Sequence, residues 1–525
     1  MKESFSILGI GASLKMSKIF IPALVWLFYA SSVACADGLF KLPSIISEGM
    51  VLQQGVAIPI WGWAKPSQEI TVKIAGQSQK TQADQDGKWM LRLDPLQAGG
   101  PFEMVIESCE ESVRFSDVLV GEVWICGGQS NMQWALKDSN NGQAEAEAAN
   151  FPQIRRFATD YANAKKPNED CKGRWIECNP QTAGDFTAVG YYFAIELQKE
   201  LNVPVGLIQN AIGGTGVEEW TSREAMMTDD ALKTFFSDFE KQSAVLMEQY
   251  NQKLQAYNQE LELWELAKVN GDESSQPPQK PNMPTLHKPA GLFNGMIAPI
   301  IPYAIAGVIW YQSEQNLGDD LRYSKAFPAL ITDWRQRWGQ NDFPFLFVQL
   351  PNCSTYMSVK GKLHWAMMRQ AQEAALSLPK TAMVVTIDVG DPRDIHPRNK
   401  RPVGSRLARA ARAVAYDMDV AFMGPKYKSI RIDGVKVFVE FENTDGGLVV
   451  KGDTLTGFAL AGEDREFHPA QAEICNGMIV VWSEDVPQPL AVRYAFTDSP
   501  ECNLYNGEDL PAHPFRTDDW QKPGR

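Results

Sequence analysis

Residues 123–132 read VWICGGQSNM, a short apolar run that ends in two glycines and a polar turn. An apolar run bounded by glycine in this way predicts a buried strand. Similar runs recur along the chain and alternate with helix-like segments, and this alternation predicts a parallel sheet covered by helices on both faces. The predicted strands are 123–126, 205–210, 305–311, 345–349 and 383–388, and the predicted helices are 187–201, 323–338, 364–377 and 401–415. Sheets of this kind place their sites at the carboxyl ends of the strands.

Short apolar runs separated by turn residues flank this region on both sides. In 37–118 the Asp86-Gly87 pair is a hairpin signal, and the spacing of the runs predicts a β-sandwich-like domain. Residues 426–525 predict a second β-rich domain. The predicted fold class is therefore α/β, with a three-layer α/β/α domain over 119–425 between two β-domains. Trp61 and Trp63 could stack on a sugar, although burial in the core is the favoured interpretation.

One stretch interrupts the alternation of strands and helices. Between 228 and 268, large apolar residues recur at spacings of three, four and seven, which predicts an amphipathic helix or a helical hairpin. The polar, proline-rich residues 274–284 predict a loop, so the interruption is a helical insertion over 225–285. We expect its apolar stripe to pack within the chain, with a homodimer contact as the alternative. The stripe consists of Phe239, Leu246, Tyr250, Leu254, Tyr257, Leu261 and Trp264.

The N-terminus has the pattern of a secretory signal. Three lysines precede an apolar run at 19–29, and Ala34-Cys35-Ala36 follows with the small residues of a signal-peptidase site. The run is too short to span a bilayer. We therefore expect residues 1–36 to be a signal peptide of a secreted or periplasmic protein without stable membrane insertion. An uncleaved anchor and lipid attachment at Cys35 are less favoured alternatives.

Charge and cysteine content exclude some classes of function. The 525 residues include 50 basic and 64 acidic ones, a formal charge of −14, which does not favour a nucleic-acid partner. Paired CxxC and HExxH motifs are absent from the sequence, so neither a metal site nor another cofactor is predicted. Export permits disulfides. Cys171 and Cys178 could pair, and Cys126 is expected to be a free thiol.

Polar residues follow three of the predicted strands. Ser130, after the paired glycines, could be a nucleophile whose own amide helps to hold an oxyanion, or a helix N-cap. The segment 213–216 (GGTG) follows the second strand and could donate an amide to an oxyanion or form a plain turn. Residues 310–316 (WYQSEQN) follow the third strand. Because burying such a polar run costs energy unless it is hydrogen-bonded, it indicates a site wall or a buried polar network.

A fourth polar cluster contains a histidine. His396 lies in an acidic, proline-containing loop with Asp388, Asp391 and Asp394. A carboxylate that orients the imidazole is what a general base needs. The remaining histidines lie in other settings and are His287, His364, His468 and His513. If Ser130 is a nucleophile, His396 is its expected partner.

Several of these blocks, in order along the chain, resemble the sialate O-acetylesterase family of the SGNH (GDSL-like) hydrolases. The matching segments are 50–53, 121–124, 128–132, 213–215, 219–220, 294–297, 394–397 and 510–516. The resemblance implies an SGNH-hydrolase-like central domain. It also implies a metal-independent carboxylic ester hydrolase that removes O-acetyl groups from sugars, notably sialic acids.

The resemblance also assigns roles to residues. It implies that Ser130 is the nucleophile and His396 the general base. The implied oxyanion and substrate-binding residues are Gln129, Asn131, Gly214, Gln312, Asn316 and Arg398, together with the Ser130 amide. Two departures from the family pattern concern the rest of the site.

Residues 310–316, which we call the third block, read WYQSEQN where the family usually reads WYQGESN. Ser313 and Gln315 therefore bear on the shape of that loop and on its oxyanion geometry. Arg393 stands at the usual position of the triad aspartate, three residues before the histidine. Asp394 is two residues before it, and alternate residues of an extended segment face the same way. We expect Asp394 to orient the imidazole, with Glu314 as the alternative.

The expected function is thus a serine esterase that acts through an acetyl-enzyme intermediate on O-acetylated sialic acids. One alternative keeps the chemistry and changes the substrate to acetylated xylan or another polysaccharide. Another is an inactive sugar-binding protein, because the third block is altered. A sialate carboxylate would favour an arginine partner, since guanidinium binds carboxylate with two hydrogen bonds. The candidates are Arg155, Arg393 and Arg398.

Overall fold

The computed structural model describes residues 40–109, 111–271, 274–354 and 363–520. The predicted signal peptide, 1–36, lies outside these residues. Within the described ranges, no helix is both long enough and apolar enough to cross a membrane.

The N-terminal region is built of short strands joined by turns. The strands are β1 (Val51–Gln53), β2 (Ile58–Trp63), β3 (Glu69–Ile74), β4 (Gln77–Gln82), β5 (Lys88–Leu93), β6 (Gly99–Ser108) and β7 (Ser112–Gly128). β3 pairs antiparallel with β4 and β6, β6 pairs antiparallel with β7, and β2 and β5 form a separate antiparallel pair. Trp61 is buried and packs edge-on against Tyr303, whereas Trp63 is half-buried.

The second half of β7 continues into the central sheet. The other strands of this sheet are β8 (Phe151–Thr159), β9 (Gly173–Cys178), β10 (Val205–Ala211), β11 (Gly307–Tyr311), β12 (Phe345–Val348) and β13 (Thr381–Val384). Their order is β13-β12-β11-β7-β10-β8-β9. All neighbours are parallel except β8 and β9, because no helix lies between these two strands to carry a crossover. The sheet is therefore mixed at one edge, where the sequence predicted only parallel strands.

Helices cover both faces of this sheet. They are α1 (Ser130–Gln133), α2 (Gly142–Ala148), α3 (Ala188–Leu201), α4 (Arg223–Met226), α5 (Asp230–Val269), α6 (Asp320–Trp338), α7 (His364–Gln372) and α8 (Arg401–Val414). In β11, Ile309 packs in one core with residues of α3 and α8, and the next residue, Trp310, packs in another core with residues of α6. Successive strand residues serve opposite faces in this way, and the predicted α/β/α layering is confirmed.

The two cysteines that could have formed a disulfide are not bonded. Cys171 and Cys178 are both buried free thiols. They are seven positions apart along a mostly extended segment, and alternation therefore sends them to opposite faces of the sheet. Cys171 packs in the core that contains Trp310, and Cys178 packs in the core that contains Ile309. Cys126 is free and buried, as expected.

The helical insertion is one helix rather than a hairpin. α5 has 40 residues, which corresponds to a length of about 60 Å at 1.5 Å per residue. Leu232 and Phe235, in the first turns of α5, are buried. Near its other end the indole Nε1 of Trp264 donates a hydrogen bond to the carbonyl of Ser275 at 3.0 Å. The proline-rich segment that follows α5 therefore packs back on the helix at this point.

The C-terminal region consists of small antiparallel sheets. Its strands are β14 (Lys426–Asp433), β15 (Lys436–Glu442), β16 (Leu448–Val450), β17 (Phe458–Ala461), β18 (His468–Pro469), β19 (Gln471–Cys475), β20 (Met478–Trp482), β21 (Ala491–Tyr494), β22 (Leu504–Asn506) and β23 (Phe515–Arg516). Val385 and Ile387, just after β13, share a core with Val437 and Val439 of β15. The C-terminal sheets thus pack against the segment that leads to His396.

The limits of the predicted domains stay predictions. The first boundary, at 118, falls inside β7, and the described residues from Phe40 onward belong to one compact unit.

Candidate active site

Ser130 is placed by a turn that only glycine can make. At the end of β7, Gly128 has a φ of +133°, and a Cβ on it would lie 2.1 Å from the carbonyl oxygen of Tyr311. A side chain is excluded at this position both by conformation and by space. The chain therefore turns sharply at the carboxyl end of β7, and Ser130 becomes the first residue of α1.

His396 meets Ser130 at this edge of the sheet. The imidazole Nε2 lies 2.8 Å from the Ser130 Oγ, although the two residues are 266 positions apart. The ring stacks on Trp134, with centroids 5.3 Å apart and an angle of 21° between the planes. A hydroxyl and an imidazole at this distance have the geometry of a nucleophile with its general base.

The surroundings of His396 favour its neutral form. Burial lowers the pKa of the imidazole, the positive charge of Lys400 lowers it further, and Asp394 acts in the opposite direction. A neutral imidazole can accept a proton from a hydroxyl, whereas an imidazolium cannot. The pKa shift therefore favours the base form near neutral pH.

The two candidate acids lie in different positions. Asp394 Oδ1 accepts a hydrogen bond from the backbone N–H of His396 at 2.8 Å and lies 3.9 Å from the ring Nδ1. Glu314 is buried, and its Oε1 accepts from the Nδ2 of Asn131 at 2.6 Å. Burial raises the pKa of the Glu314 carboxyl. Within the described residues neither carboxylate hydrogen-bonds to the ring, because 3.9 Å exceeds hydrogen-bonding distance, so the choice of acid stays a prediction.

The glycine loop after β10 lies beside the nucleophile. A Cβ built on Gly213 would be 3.3 Å from the Cβ of Ser130. The Gly213 amide is occupied, since it donates to Oε1 of Gln133 at 2.8 Å. Gly214 has a φ of +72° and open space around its Cα, and its amide has no acceptor in the described part of the chain. The Gly214 amide is thus free to donate to an oxyanion.

The side-chain amides of the third block connect two loops. Gln312 is fully buried, and its Nε2 donates to the carbonyl of Thr215 at 3.1 Å and to Asn316 Oδ1 at 2.8 Å. Both hydrogens of that amide are occupied, so none remains for an oxyanion in this structure. Asn316 Nδ2 donates to Glu218 Oε2 at 2.9 Å, which leaves one amide hydrogen. A role for Asn316 as an oxyanion donor stays a prediction.

Ser313 occupies a conformation that favours glycine. Its φ is +150°, its side chain is fully buried, and no described residue offers a hydrogen-bond partner to its Oγ. This is the position where the family motif has glycine. The loop keeps a glycine-like backbone although the residue is serine.

Of the other residues predicted to belong to the site, some lie near Ser130 and His396 and one lies elsewhere in the fold. Gln129 and Asn131 are buried beside Ser130, and Gln129 Oε1 accepts from the backbone of Gln315 at 3.3 Å. Arg393 and Arg398 are exposed on the loop of His396. Arg155 is buried in β8, and its Nη1 and Nη2 bind the Asp117 carboxylate at 2.6 and 3.2 Å. The Arg155 guanidinium is therefore already occupied.

Two residues of the site escaped the sequence analysis. Trp134, which supports the His396 ring, lies four residues after Ser130, and this helical spacing could have identified it. Lys400 is 1% exposed, and its Nζ donates to Asn131 Oδ1. Burial lowers the pKa of Lys400 to about 7. No sequence signal marks it, because a lysine in a polar loop is ordinarily exposed.

Known proteins are similar to this chain in sequence and in fold. Residues 120–262 and 290–413 match the family described as "Carbohydrate esterase, sialic acid-specific acetylesterase". A mouse protein named sialate O-acetylesterase is 31% identical over 91% of this chain and 94% of its own length, and the human protein of that name is 28% identical over 94% and 95%. The crystal structure of a carbohydrate acetylesterase from Xanthomonas citri superposes with a TM-score of 0.78 at 35% identity, covering 92% of this chain and all of that one. The chain therefore belongs to the sialic acid-specific acetylesterase family of carbohydrate esterases, which confirms both the predicted family and the predicted class of carboxylic ester hydrolase.

Proposed function

We propose that the protein is a serine esterase that hydrolyses O-acetyl esters on sugars, with O-acetylated sialic acids as its first substrate class. The observation that carries this proposal is the 2.8 Å contact between Ser130 Oγ and His396 Nε2. Membership of the family supports the substrate class, because the mouse and human relatives are named sialate O-acetylesterases.

The reaction follows from the placement of these groups. His396 Nε2 takes the proton of Ser130 as Oγ attacks the acetyl carbonyl carbon. The imidazolium returns that proton to the departing sugar oxygen, and the acetyl group stays on Ser130. Water, deprotonated by the same imidazole, then attacks the carbonyl carbon of the acetyl-enzyme. The bond between that carbon and Ser130 Oγ breaks, the imidazolium returns the proton to Oγ, and acetate leaves.

The carbonyl oxygen carries negative charge in both steps. The Gly214 amide, the Ser130 amide at the start of α1 and the second hydrogen of the Asn316 amide are the proposed donors. Each donor that reaches the oxyanion contributes about 10²–10³ in rate. The positions of Gly213 beside Ser130 and of Gln312 against Thr215 support a role for these two loops in forming one oxyanion hole.

The first test measures the chemistry itself. Acetate release from an O-acetylated sialic acid is compared for the wild type, Ser130→Ala and His396→Ala. Loss of either member of the pair is expected to lower turnover on the order of 10⁴–10⁶-fold. A fluorophosphonate probe should add its mass to Ser130 of the wild type. Folded protein that neither releases acetate nor reacts with the probe would instead support the inactive sugar-binding alternative.

The second test identifies the substrate. The Xanthomonas citri relative is described as a carbohydrate acetylesterase without reference to sialic acid, so other acetylated sugars are the second candidate class. Rates of acetate release from O-acetylated sialic acid and from acetylated xylan are measured at equal ester concentration. A clear preference for xylan would move the proposal to polysaccharide deacetylation.

We also propose that residues 1–36 direct export and are removed. N-terminal sequencing of the protein from its native host should then begin just after Ala36. A protein that begins before residue 37, for example at Met1, would contradict removal of this segment.

A further inference from the structure

A buried amide lies between two groups of opposite charge next to the catalytic pair. Asn131 is fully buried, and its Nδ2 donates to Glu314 Oε1 at 2.6 Å, while its Oδ1 accepts from Lys400 Nζ. Lys400 is 1% exposed and Glu314 is 2% exposed. An ammonium can face only the amide oxygen and a carboxylate only the amide nitrogen. The two charges therefore fix which way the Asn131 amide points.

This amide joins the two chain segments that react. Asn131 directly follows Ser130, and its Nδ2 also donates to the carbonyl of Ile395 at 3.0 Å. Ile395 directly precedes His396. The residue next to the nucleophile is thus hydrogen-bonded through its side chain to the residue next to the base. Any rotation or shift of Asn131 would change the distance between Ser130 Oγ and His396 Nε2.

The arrangement is costly for the fold. Buried charges are unfavourable unless they are well paired, and among the described residues the acceptor that the Lys400 Nζ contacts is an amide oxygen rather than a carboxylate. Its Nζ lies instead over the rings of Trp134 and Tyr311, 5.8 and 5.4 Å from their centroids. Cation–π contacts of this kind offset part of the lost hydration. A costly buried lysine beside a reactive pair is typical of a group retained for function.

Resting on the esterase function proposed above, we propose that Lys400 and Glu314 are positioning residues that act through Asn131 to hold Ser130 and His396 together. The charged groups that face His396 are Lys400, which lowers the pKa of the imidazole, and Asp394, which raises it, while Trp134 covers one ring face. Lys400 therefore has two separable effects, one geometric and one electrostatic.

The variants separate these effects. Lys400→Met removes the donor and the charge, Lys400→Gln keeps an N–H donor without the charge, and Glu314→Gln removes the opposite charge. The control is Lys428→Met, which removes an exposed lysine that pairs with Glu440 on β14 and β15. Each variant is assayed with 4-nitrophenyl acetate across pH, and folding is checked by circular dichroism and thermal unfolding.

We expect Lys400→Met and Glu314→Gln each to lower kcat roughly 10–100-fold with little change in KM, because a displacement of about 1 Å in a reacting pair costs that much. The double variant that combines Lys400→Met with Glu314→Gln should lower kcat by less than the product of the two single fold losses, since Asn131 then lies between two neutral groups. The acid limb of kcat/KM should move to higher pH in Lys400→Met and Lys400→Gln. Lys400→Gln should recover part of kcat, and Lys428→Met should behave as wild type.

An NMR titration of the His396 ring, assigned with His396→Ala, tests the electrostatic part without turnover. Its pKa should rise in Lys400→Met and Lys400→Gln. Wild-type kcat together with an unchanged His396 titration in folded Lys400→Met would overturn the inference. If Lys400→Met does not fold, Lys400→Gln gives the same titration, and an unchanged pKa there overturns the electrostatic part. Failure of the esterase proposal would look different, because the wild type itself would then release no acetate.

Discussion

Replacing Ser313 with glycine should stabilise the protein. Ser313 has a φ of +150° and a ψ of −10° and is fully buried in the middle of the third block, residues 310–316. A non-glycine residue in such a sparsely populated region carries about 1–3 kcal/mol of strain. Its Oγ has no hydrogen-bond partner among the described residues, and a buried hydroxyl without a partner costs about 1–3 kcal/mol. Both costs disappear in Ser313→Gly.

The opposing effects are smaller. Glycine loses more chain entropy on folding, which costs about 0.5–1 kcal/mol, and the small cavity left by the side chain removes part of the remaining gain. The net expectation is a stabilisation of about 1–3 kcal/mol. Gln312 and Glu314 keep their contacts in this variant, so activity should change little.

The assay is urea unfolding followed by tryptophan fluorescence, with Ser67→Gly as the control. Ser67 also has a positive φ, +65°, but it lies in the ordinary left-handed region and is exposed. Its replacement should therefore change stability by much less. The unfolding midpoint of Ser313→Gly should rise while the slope stays constant. A midpoint at or below that of Ser67→Gly would refute the assignment of strain to the third block.

Three further outcomes are expected. Because the pKa of His396 lies below its ordinary value of 6.5, the acid limb of kcat/KM should have its midpoint below pH 6.5, and a midpoint at or above pH 6.5 would contradict this. Arg398→Ala should raise KM for an acetylated sialate and not for a neutral acetylated sugar, since only the sialate presents a carboxylate; equal effects on both substrates would remove Arg398 from sialate recognition. Burial lowers the pKa of His513 to about 4, so between pH 6.5 and 4 this histidine binds a proton in the unfolded state but not in the folded state. The free energy of unfolding should therefore decrease by about 3 kcal/mol as the pH is lowered from 6.5 to 4. His513→Phe should lose less stability than the wild type between these pH values in urea unfolding, and an unchanged loss would exclude His513 as its source.

The layered fold was predictable because its signal is local. In 123–126 every residue is apolar, and the structure sends Val123 and Ile125 to one core and Trp124 and Cys126 to the other. A run that is apolar on both sides is what a strand between two helical layers requires. The proximity of Ser130 to the loop of His396 was also predictable, because both follow strands of one parallel sheet and the carboxyl ends of such strands lie at the same edge.

Other features depend on contacts that no local pattern encodes. The run 151–159 (FPQIRRFAT) contains two arginines and was not predicted as a strand, yet β8 buries both of them. Arg155 is compensated by Asp117 and Arg156 by the backbone carbonyl of Asp185, partners that are distant in sequence. The burial of Lys400 could not be predicted for the same reason. A charged residue can be recognised as buried only when its partner is known.

The position of His396 requires more than the length of its loop. β13 is three strands away from β7 in the sheet, a distance of about 14 Å at about 4.8 Å per strand. The 12 residues from 385 to 396 could reach roughly 40 Å if extended, so the chain has much more reach than it needs and could place the imidazole at many points. Packing of Val385 and Ile387 against the C-terminal sheets fixes the start of this segment, and the hydrogen bond from Asn131 to the carbonyl of Ile395 fixes its end. The contact between base and nucleophile is therefore determined by interactions at both ends of the loop, and the interaction at the second end is made by Asn131, the residue next to Ser130. For this reason a change at Asn131, Glu314 or Lys400 should alter the reaction while the sheet beneath it stays intact.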